Sequence, residues 1–286
     1  MIERIAILGT GLLGTSAGLA LRAAGFRGTI TGWNRSPDQA QVALTMGAVD
    51  SVTSDPLQAA KESQVIVLAV PIYATLDFME KLTGVLGSDH LVTDVGSTKR
   101  VISESAARLF NSPDRAAFLP GHPMAGKERG GAALADANLF RGAVWLFTDD
   151  PGADRSAQSA GLVEDWRKWV AAMGSKIIDL DPARHDELVA WVSHLPQFVA
   201  TALSALLEDR VGDAPELKDV GGRGLREMTR LGASPFSMWR DIAHTNTEAV
   251  EAALFALEQR LAHVRENLRT PELRDEFEKA NQFRRE

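Results

Sequence analysis

Ile5-Ala6-Ile7-Leu8-Gly9-Thr10-Gly11-Leu12-Leu13-Gly14 stands almost at the start of the chain, and its reading decides the fold. Four consecutive apolar residues fit a short strand buried on both faces, as in a parallel sheet. The pattern G-x-G-x-x-G follows, and Leu12 to Ala24 reads as a helix. Gly9 permits a tight turn, Gly11 lets a pyrophosphate approach the backbone, and Gly14 allows helix and strand to pack closely. The helix N-terminus then faces the phosphates of a dinucleotide. The glycine pattern alone is weak, but its setting between a strand and a helix makes it strong. The competing reading is a glycine-rich turn with no ligand.

The next strand, Thr29 to Trp33, ends where such units choose between NAD and NADP. An acid there bonds the ribose 2′-hydroxyl, whereas a nearby Arg accommodates a 2′-phosphate. Here Asn34, Arg35 and Ser36 follow, and the acid is missing. NADP is therefore favoured over NAD. The cofactor contacts are expected at Gly9, Gly11, Leu12, Leu13, Gly14, Asn34, Arg35 and Ser36. Val70 and Pro71, at the end of the apolar run that begins at Val65, and Ser97, after the next one, complete that set.

Further strands are expected at Val65–Val70, Leu91–Val95 and Ala143–Phe147, separated by helical stretches. That alternation implies a parallel, doubly wound α/β sheet with helices on both faces. After Ile177-Ile178 the character changes to all-helical. Asp181-Pro182 looks like an N-cap with proline at the first helical position. A helical pattern runs from there towards Asp209, with Pro196 expected to kink or break it. Gly221-Gly222-Arg223-Gly224 reads as a loop, and Asp241 to Leu268 as one more helix. Its residues Val250, Leu254, Leu257, Leu261, Val264 and Leu268 alternate spacings of four and three, a narrow heptad-like seam. The seam either packs inside its own domain or is shared with a second subunit, and the second reading is preferred. The domains expected are a dinucleotide-binding Rossmann domain over 1–178 and a helical substrate-binding and dimerisation domain over 179–286, giving a homodimer.

The 286 residues carry a net charge of -7 and no cysteine. The acidic balance argues against a nucleic-acid backbone binder, and the missing thiols remove disulfides and thiolate metal sites. No signal-peptide pattern precedes Gly9, and the longest apolar runs are too short to span a bilayer, so the expectation is a cytoplasmic protein with no membrane partner. No pair of histidines has metal-ligand spacing. The chain ends at Glu286 soon after the long helix, so neither an added regulatory domain nor a fused mutase is expected.

Three polar clusters remain: Asp94-Val95-Gly96-Ser97-Thr98-Lys99 at the end of a strand, Gly121-His122-Pro123-Met124-Ala125-Gly126-Lys127-Glu128, and Arg226 to Trp239. A histidine in a loop framed by glycine and proline is poorly explained by core packing. With these residues, with Ser193-His194-Leu195-Pro196, and with Thr229-Arg230 followed by Met238-Trp239-Arg240-Asp241, the chain resembles the prephenate/arogenate dehydrogenases, the cyclohexadienyl dehydrogenases of tyrosine biosynthesis, from end to end.

The resemblance implies an oxidative decarboxylation. Hydride leaves C4 of a cyclohexadienol for the nicotinamide, CO2 leaves C1, and the ring becomes aromatic. Prephenate gives 4-hydroxyphenylpyruvate, and arogenate gives tyrosine. His122 matches the family's catalytic histidine, a base whose neutral imidazole titrates near working pH. Ser97 matches the serine that bonds this histidine and the substrate hydroxyl. Arg230 matches the arginine that clamps a carboxylate, and Arg226, four residues earlier, stands where the family often has a basic residue. Asp186, His194 and Glu128 match positions near the substrate. Gln197 departs from the family, which often has a second histidine there, and this keeps arogenate alive beside prephenate. Lys127 departs from a small hydroxyl residue. Trp239 reads as a pocket wall or core residue, and His90, His185, His244 and His263 as surface or capping residues.

Two other readings compete. A β-hydroxyacid dehydrogenase would need a catalytic lysine on a helix, yet Lys168, Lys176 and Lys218 stand in no such setting. A dinucleotide-sensing dimer without catalysis would lack the base or the clamp, and both are present.

Overall fold

The computed structural model describes residues 1–285, the side chain of Lys218 excepted. Its first half alternates strand and helix: β1 (Arg4–Leu8), α1 (Leu12–Ala23), β2 (Thr29–Trp33), α2 (Pro37–Thr45), β3 (Ser51–Val52), α3 (Pro56–Lys61), β4 (Val65–Leu68), α4 (Ile72–Leu82), β5 (Leu91–Asp94), α5 (Arg100–Leu109) and β6 (Ala117–Leu119). The strands form one sheet in the order β3-β2-β1-β4-β5-β6, every pair parallel. Strand order reverses between β1 and β4, and ligands bind in the crevice at the carboxyl ends of strands at such a point.

The continuous apolar strands are explained by burial on both sides. Ile5, Ile7, Val65 and Val67 enter one core with Phe140, Trp145 and Trp166. Their neighbours Ala6, Leu8, Ile66 and Leu68 enter the other with Met79, Leu82 and Ile102. Alternate residues of one strand thus serve two layers of helices.

A second, three-stranded sheet follows: β7 (Gly121–Pro123), β8 (Val144–Phe147) and β9 (Lys176–Asp179), with α6 (Ala157–Ala172) between the last two. β7 runs antiparallel to β8, with His122 opposite Leu146. His122 therefore lies on a strand and not, as the flanking glycine and proline imply, on a loop. Three residues between Pro120 and the next turn are too few to show a period.

The second half is helical: α7 (Pro182–Val189), α8 (Leu195–Val211), α9 (Leu217–Val220), α10 (Arg223–Thr229), α11 (Phe236–Thr245), α12 (Thr247–Glu266) and α13 (Glu272–Arg285). Asp181 caps α7 as its sequence requires, accepting from the N–H groups of Ala183 and Arg184 at 2.9 and 3.1 Å. Pro196 does not break the path. One π-helical turn, Ala190–His194, joins α7 to α8, and Pro196 falls in the first turn of α8, where its missing N–H costs nothing. The joined helix, Pro182–Val211, is long and apolar enough by length and composition to cross a membrane, which the shorter apolar runs are not. It also carries the buried polar residues His185, Asp186, His194 and Gln197. Two further differences are local. The expected glycine loop shrinks to Gly221 and Gly222, because Arg223 already starts α10, and the helix expected from Asp241 is divided at Asn246 into α11 and α12. Ile242 of α11 belongs to the core shared with Ile66 and Met79, and Trp239 packs against it, so the two halves are joined through packed side chains.

Candidate active site

The candidate residues of the first half gather at one edge of the main sheet. Gly9 to Gly14 follow β1, Asn34 to Ser36 follow β2, Val70 and Pro71 follow β4, Ser97 follows β5, and His122 lies three residues beyond β6. All are at the carboxyl ends of parallel strands.

The fingerprint fits a dinucleotide. Gly9 has φ 108°, and a Cβ there would lie 2.3 Å from the Ala69 carbonyl oxygen; one at Gly14 would lie 2.2 Å from the Gly9 oxygen. Both positions are closed to any larger residue by the protein itself. Gly11 differs, since a Cβ there meets nothing within 4 Å. It is also the N-cap of α1 and makes no side-chain cap bond. Open space before an uncapped helix N-terminus is the arrangement a pyrophosphate fills. At the end of β2, Asn34 Oδ1 accepts from the Ser36 N–H at 3.0 Å, and Arg35 and Ser36 are exposed.

Asp94, at the end of β5, ties the neighbouring turns together. One carboxylate oxygen accepts from the Gly121 N–H at 3.0 Å; the other accepts from the Gly96 N–H at 2.7 Å and from Lys99 Nζ at 2.5 Å. Asp94 and Lys99 are fully buried. Burial lowers the Lys99 pKa, and the Asp94 carboxylate opposes that shift. A buried pair of this kind is a positioning device more than a source of stability. It holds the start of β7, and so His122, beside the Ser97 turn.

His122 is buried, and its Nδ1 lies 2.9 Å from His185 Nε2. His185 Nδ1 lies 2.8 Å from Asp186 Oδ1. Asp186 in turn accepts from the backbone N–H groups of Lys99 and Arg100 at 2.7 and 3.0 Å. His185 is thus neither a surface nor a capping residue. It is fully buried, between the candidate base and a carboxylate. Its only sequence signal is adjacency to Asp186, on a helix whose face cannot be fixed from so short a pattern. Asp186, expected at the substrate, has both oxygens committed inside the protein. Burial lowers the pKa of His122 well below its ordinary value, and His185 and Lys99 push the same way. Burial also lowers that of His185, against the pull of Asp186. Titration near neutral pH is therefore not what the surroundings of His122 give. Ser97 is half-buried, and among the described residues no hydrogen bond joins it to His122.

The π turn delivers His194, nearly fully buried. Asn246 Nδ2 donates to the Asp186 carbonyl at 2.8 Å and lies 3.3 Å from His194 Nδ1. An amide nitrogen can only donate, so Nδ1 accepts and the His194 proton sits on Nε2. That atom is buried with no partner in the protein. Burial lowers the His194 pKa to about 4. Trp239 stands edge-on to the His194 ring at 5.9 Å.

Arg230 follows α10 and pairs with Glu128 from the segment after β7. The two expected substrate contacts are thus brought together from the two halves of the chain. Arg226 is exposed. Gln197 is buried and fully occupied: its amide donates to the Leu231 carbonyl at 2.7 Å and to Thr201 at 3.2 Å, and its oxygen accepts from the Ser234 hydroxyl at 3.1 Å. It braces the turn that bears Arg230 and has no group left to read a substrate. Lys127 donates to the Leu134 carbonyl at 2.6 Å, a loop-closing role. Among the described residues no cluster of three His, Cys, Asp or Glu side chains could hold a metal ion.

Comparison with known proteins agrees along the whole length. Residues 17–178 match the family described as "Prephenate dehydrogenase, nucleotide-binding domain", and residues 181–282 match "Prephenate dehydrogenase, dimerization domain". The prephenate dehydrogenase of Lactococcus lactis subsp. cremoris is 32% identical over 248 residues, which are 86% of this chain and 66% of that protein. The chain thus spans just under two thirds of the length of this curated relative. The crystal structure of prephenate dehydrogenase from A. aeolicus in complex with hydroxyphenyl propionate and NAD+ superposes with a TM-score of 0.83 at 28% identity, covering 100% of this chain and 96% of the other. The Synechocystis arogenate dehydrogenase structure gives 0.77 at 30% identity, with 98% of each chain covered.

Proposed function

This chain belongs to the prephenate dehydrogenase family, and on that premise we propose that it is an NAD(P)-dependent oxidoreductase of tyrosine biosynthesis, converting prephenate to 4-hydroxyphenylpyruvate, arogenate to tyrosine, or both. The observation that carries the reading is His122. It is a buried imidazole, kept neutral by its surroundings, at the edge of a dinucleotide-binding sheet and hydrogen-bonded to the helical half of the chain. The bound nicotinamide supplies the hydride acceptor. His122 takes the C4 hydroxyl proton as hydride leaves, loss of CO2 then makes the ring an aromatic phenolate, and the proton returns from His122 to give the phenol. Ser97, on the neighbouring turn, holds the same hydroxyl. Arg230 holds a substrate carboxylate in exchange for Glu128, a task suited to its forked donors. Arg226 adds positive charge at the entrance. The unpartnered His194 Nε2–H is a donor for a substrate oxygen.

NADP is the favoured cofactor. The support is the missing acid after β2, the exposed Arg35 and Ser36, and the commitment of Asn34 Oδ1 to the Ser36 N–H. Because Gln197 is occupied internally, it gives no ground for choosing between prephenate and arogenate, and both remain in the proposal. The active form is a homodimer. Val250 is buried at the start of the α12 seam, whereas Leu261 towards its far end is 59% exposed, and Leu268, which falls in the turn beyond α12, is 60% exposed. Apolar exposure at seam spacing calls for a second copy.

The test is to assay prephenate and arogenate, each with NAD and NADP, by the absorbance of the reduced cofactor. Reduction with at least one pair, and a lower KM for NADP, is expected. No reduction with any pair overturns the activity, and a strong preference for NAD overturns the cofactor assignment.

A further inference from the structure

A histidine can act as a base only through a nitrogen that carries no proton, and a neutral imidazole places its proton on either of two atoms. We propose that His185 and Asp186 are positioning residues that fix the His122 proton at Nδ1 and leave Nε2 bare to receive the substrate proton. The inference rests on the reading of His122 as the base, and it adds the residues that make it one.

The argument starts at Asp186. Its Oδ1 accepts from the Lys99 N–H at 2.7 Å and its Oδ2 from the Arg100 N–H at 3.0 Å. Two backbone donors converging on one side chain require acceptors, which is what a carboxylate offers. The contact from His185 Nδ1 to Asp186 Oδ1, at 2.8 Å, is therefore an N–H donated by the histidine. With its single proton on Nδ1, the neutral His185 presents a lone pair at Nε2. That atom is 2.9 Å from His122 Nδ1, so His122 is the donor there and its own proton lies on Nδ1. The lone pair of His122 is left at Nε2. In the reaction the substrate O–H bond breaks and an N–H bond forms at Nε2, with the hydride electron pair departing to the nicotinamide. His122 becomes an imidazolium, its Nδ1–H still donates to His185, and the Asp186 charge lies one ring further on. The charged groups facing His185 are Lys99, Asp94 and Asp186.

The same carboxylate sets the second catalytic element. Lys99 and Arg100 close the turn that begins at Ser97, so Asp186 aims the base and anchors the serine turn together. Both contacts cross from the helical half of the chain to the nucleotide-binding half.

The experiment has two arms. In the first, 15N-labelled ligand-free protein is examined at neutral pH by long-range proton–nitrogen correlation of the imidazoles. His122 is expected with Nδ1 protonated and Nε2 bare, and a proton on Nε2 overturns the proposal. This arm needs no substrate, so it decides the relay even if the protein turns over neither prephenate nor arogenate, a result that would sink the functional reading alone. In the second, His185→Phe is expected to lower kcat by roughly 100-fold or more, in line with the cost of a misplaced catalytic tautomer, with substrate KM and cofactor Kd within about threefold of wild type. His185→Gln accepts through Oε1 and donates through its amide, so it should recover kcat to within about tenfold of wild type. An unchanged kcat in the Phe variant, or equal losses in the Phe and Gln variants, overturns the proposal. If the Phe variant does not fold, the Gln variant and the tautomer measurement still decide it.

Discussion

At the scale of single residues, the proposed chemistry depends on keeping His122 neutral without disordering it. Burial does the first, and the hydrogen bond to His185 does the second. His122→Asn should lower kcat by about 10²–10⁴-fold, the usual contribution of a positioned base, while cofactor affinity measured by fluorescence titration stays unchanged. The pH profile follows from the direction of the shift. With neutral His122 as the proposed base and its pKa lowered well below 6.5, kcat/KM should be level through neutral pH and fall only in acid. A limb centred at neutral pH and abolished in the Asn variant would contradict the burial argument. Arg230→Ala should raise substrate KM by roughly 10- to 100-fold, the loss of a charged hydrogen bond of about 1.5–3 kcal/mol, with a smaller change in kcat. His122 and Arg230 stand out in the sequence because each lies in a distinctive local motif. His185 does not, because its proposed role comes from two partners, one of them 63 positions away, and its own neighbourhood resembles any polar helix turn.

At the scale of elements, the three fingerprint glycines are not equivalent. Gly9 and Gly14 are required by the fold, since a side chain at either would overlap backbone. Gly11 borders open space, so its reason to be glycine lies with the ligand. Gly11→Ala should therefore melt within a few degrees of wild type yet bind cofactor at least about tenfold more weakly, because only the approach of the pyrophosphate is blocked. Gly14→Ala should lose thermal stability as well, by roughly 1–3 kcal/mol of overpacking or more. Equal stability losses in the two variants, followed by calorimetry, would remove the distinction. The strands β1, β2, β4, β5 and β8 and the cap of α7 were readable because buried parallel strands and capped helices write contiguous signals. The short strands β3, β6 and β7 were not, since two or three residues show no period. The π turn was also hidden. Pro196 marked a disturbance, and the register of the helix around it is set by what His194 and Gln197 must reach.

For the molecule as a whole, the site is stored in the contact between two halves that bury polar groups against each other, and this makes its stability depend on pH. His122, His185 and His194 are all buried with lowered pKa values. His194 titrates at about 4 when folded against 6.5 ordinarily. Above 6.5 the ring is neutral in both folded and unfolded chains, and the full stability is present. Below 6.5 the unfolded chain takes up the proton first, so stability falls with pH and goes on falling until the folded ring titrates as well. At pH 5 the loss from His194 alone is about 2 kcal/mol, from 1.36 kcal/mol per unit. His122 and His185 add losses of the same sign. Against a total stability of about 5–15 kcal/mol, this should lower Tm by more than about 5 °C between pH 7 and pH 5, measured at fixed protein concentration because the proposed dimer would melt in a concentration-dependent way. His194→Asn, which cannot charge, should flatten part of that slope. A slope identical to wild type would mean that the ring is protonated as readily in the folded chain as in the unfolded one, and that the packing of the two halves does not hold it neutral.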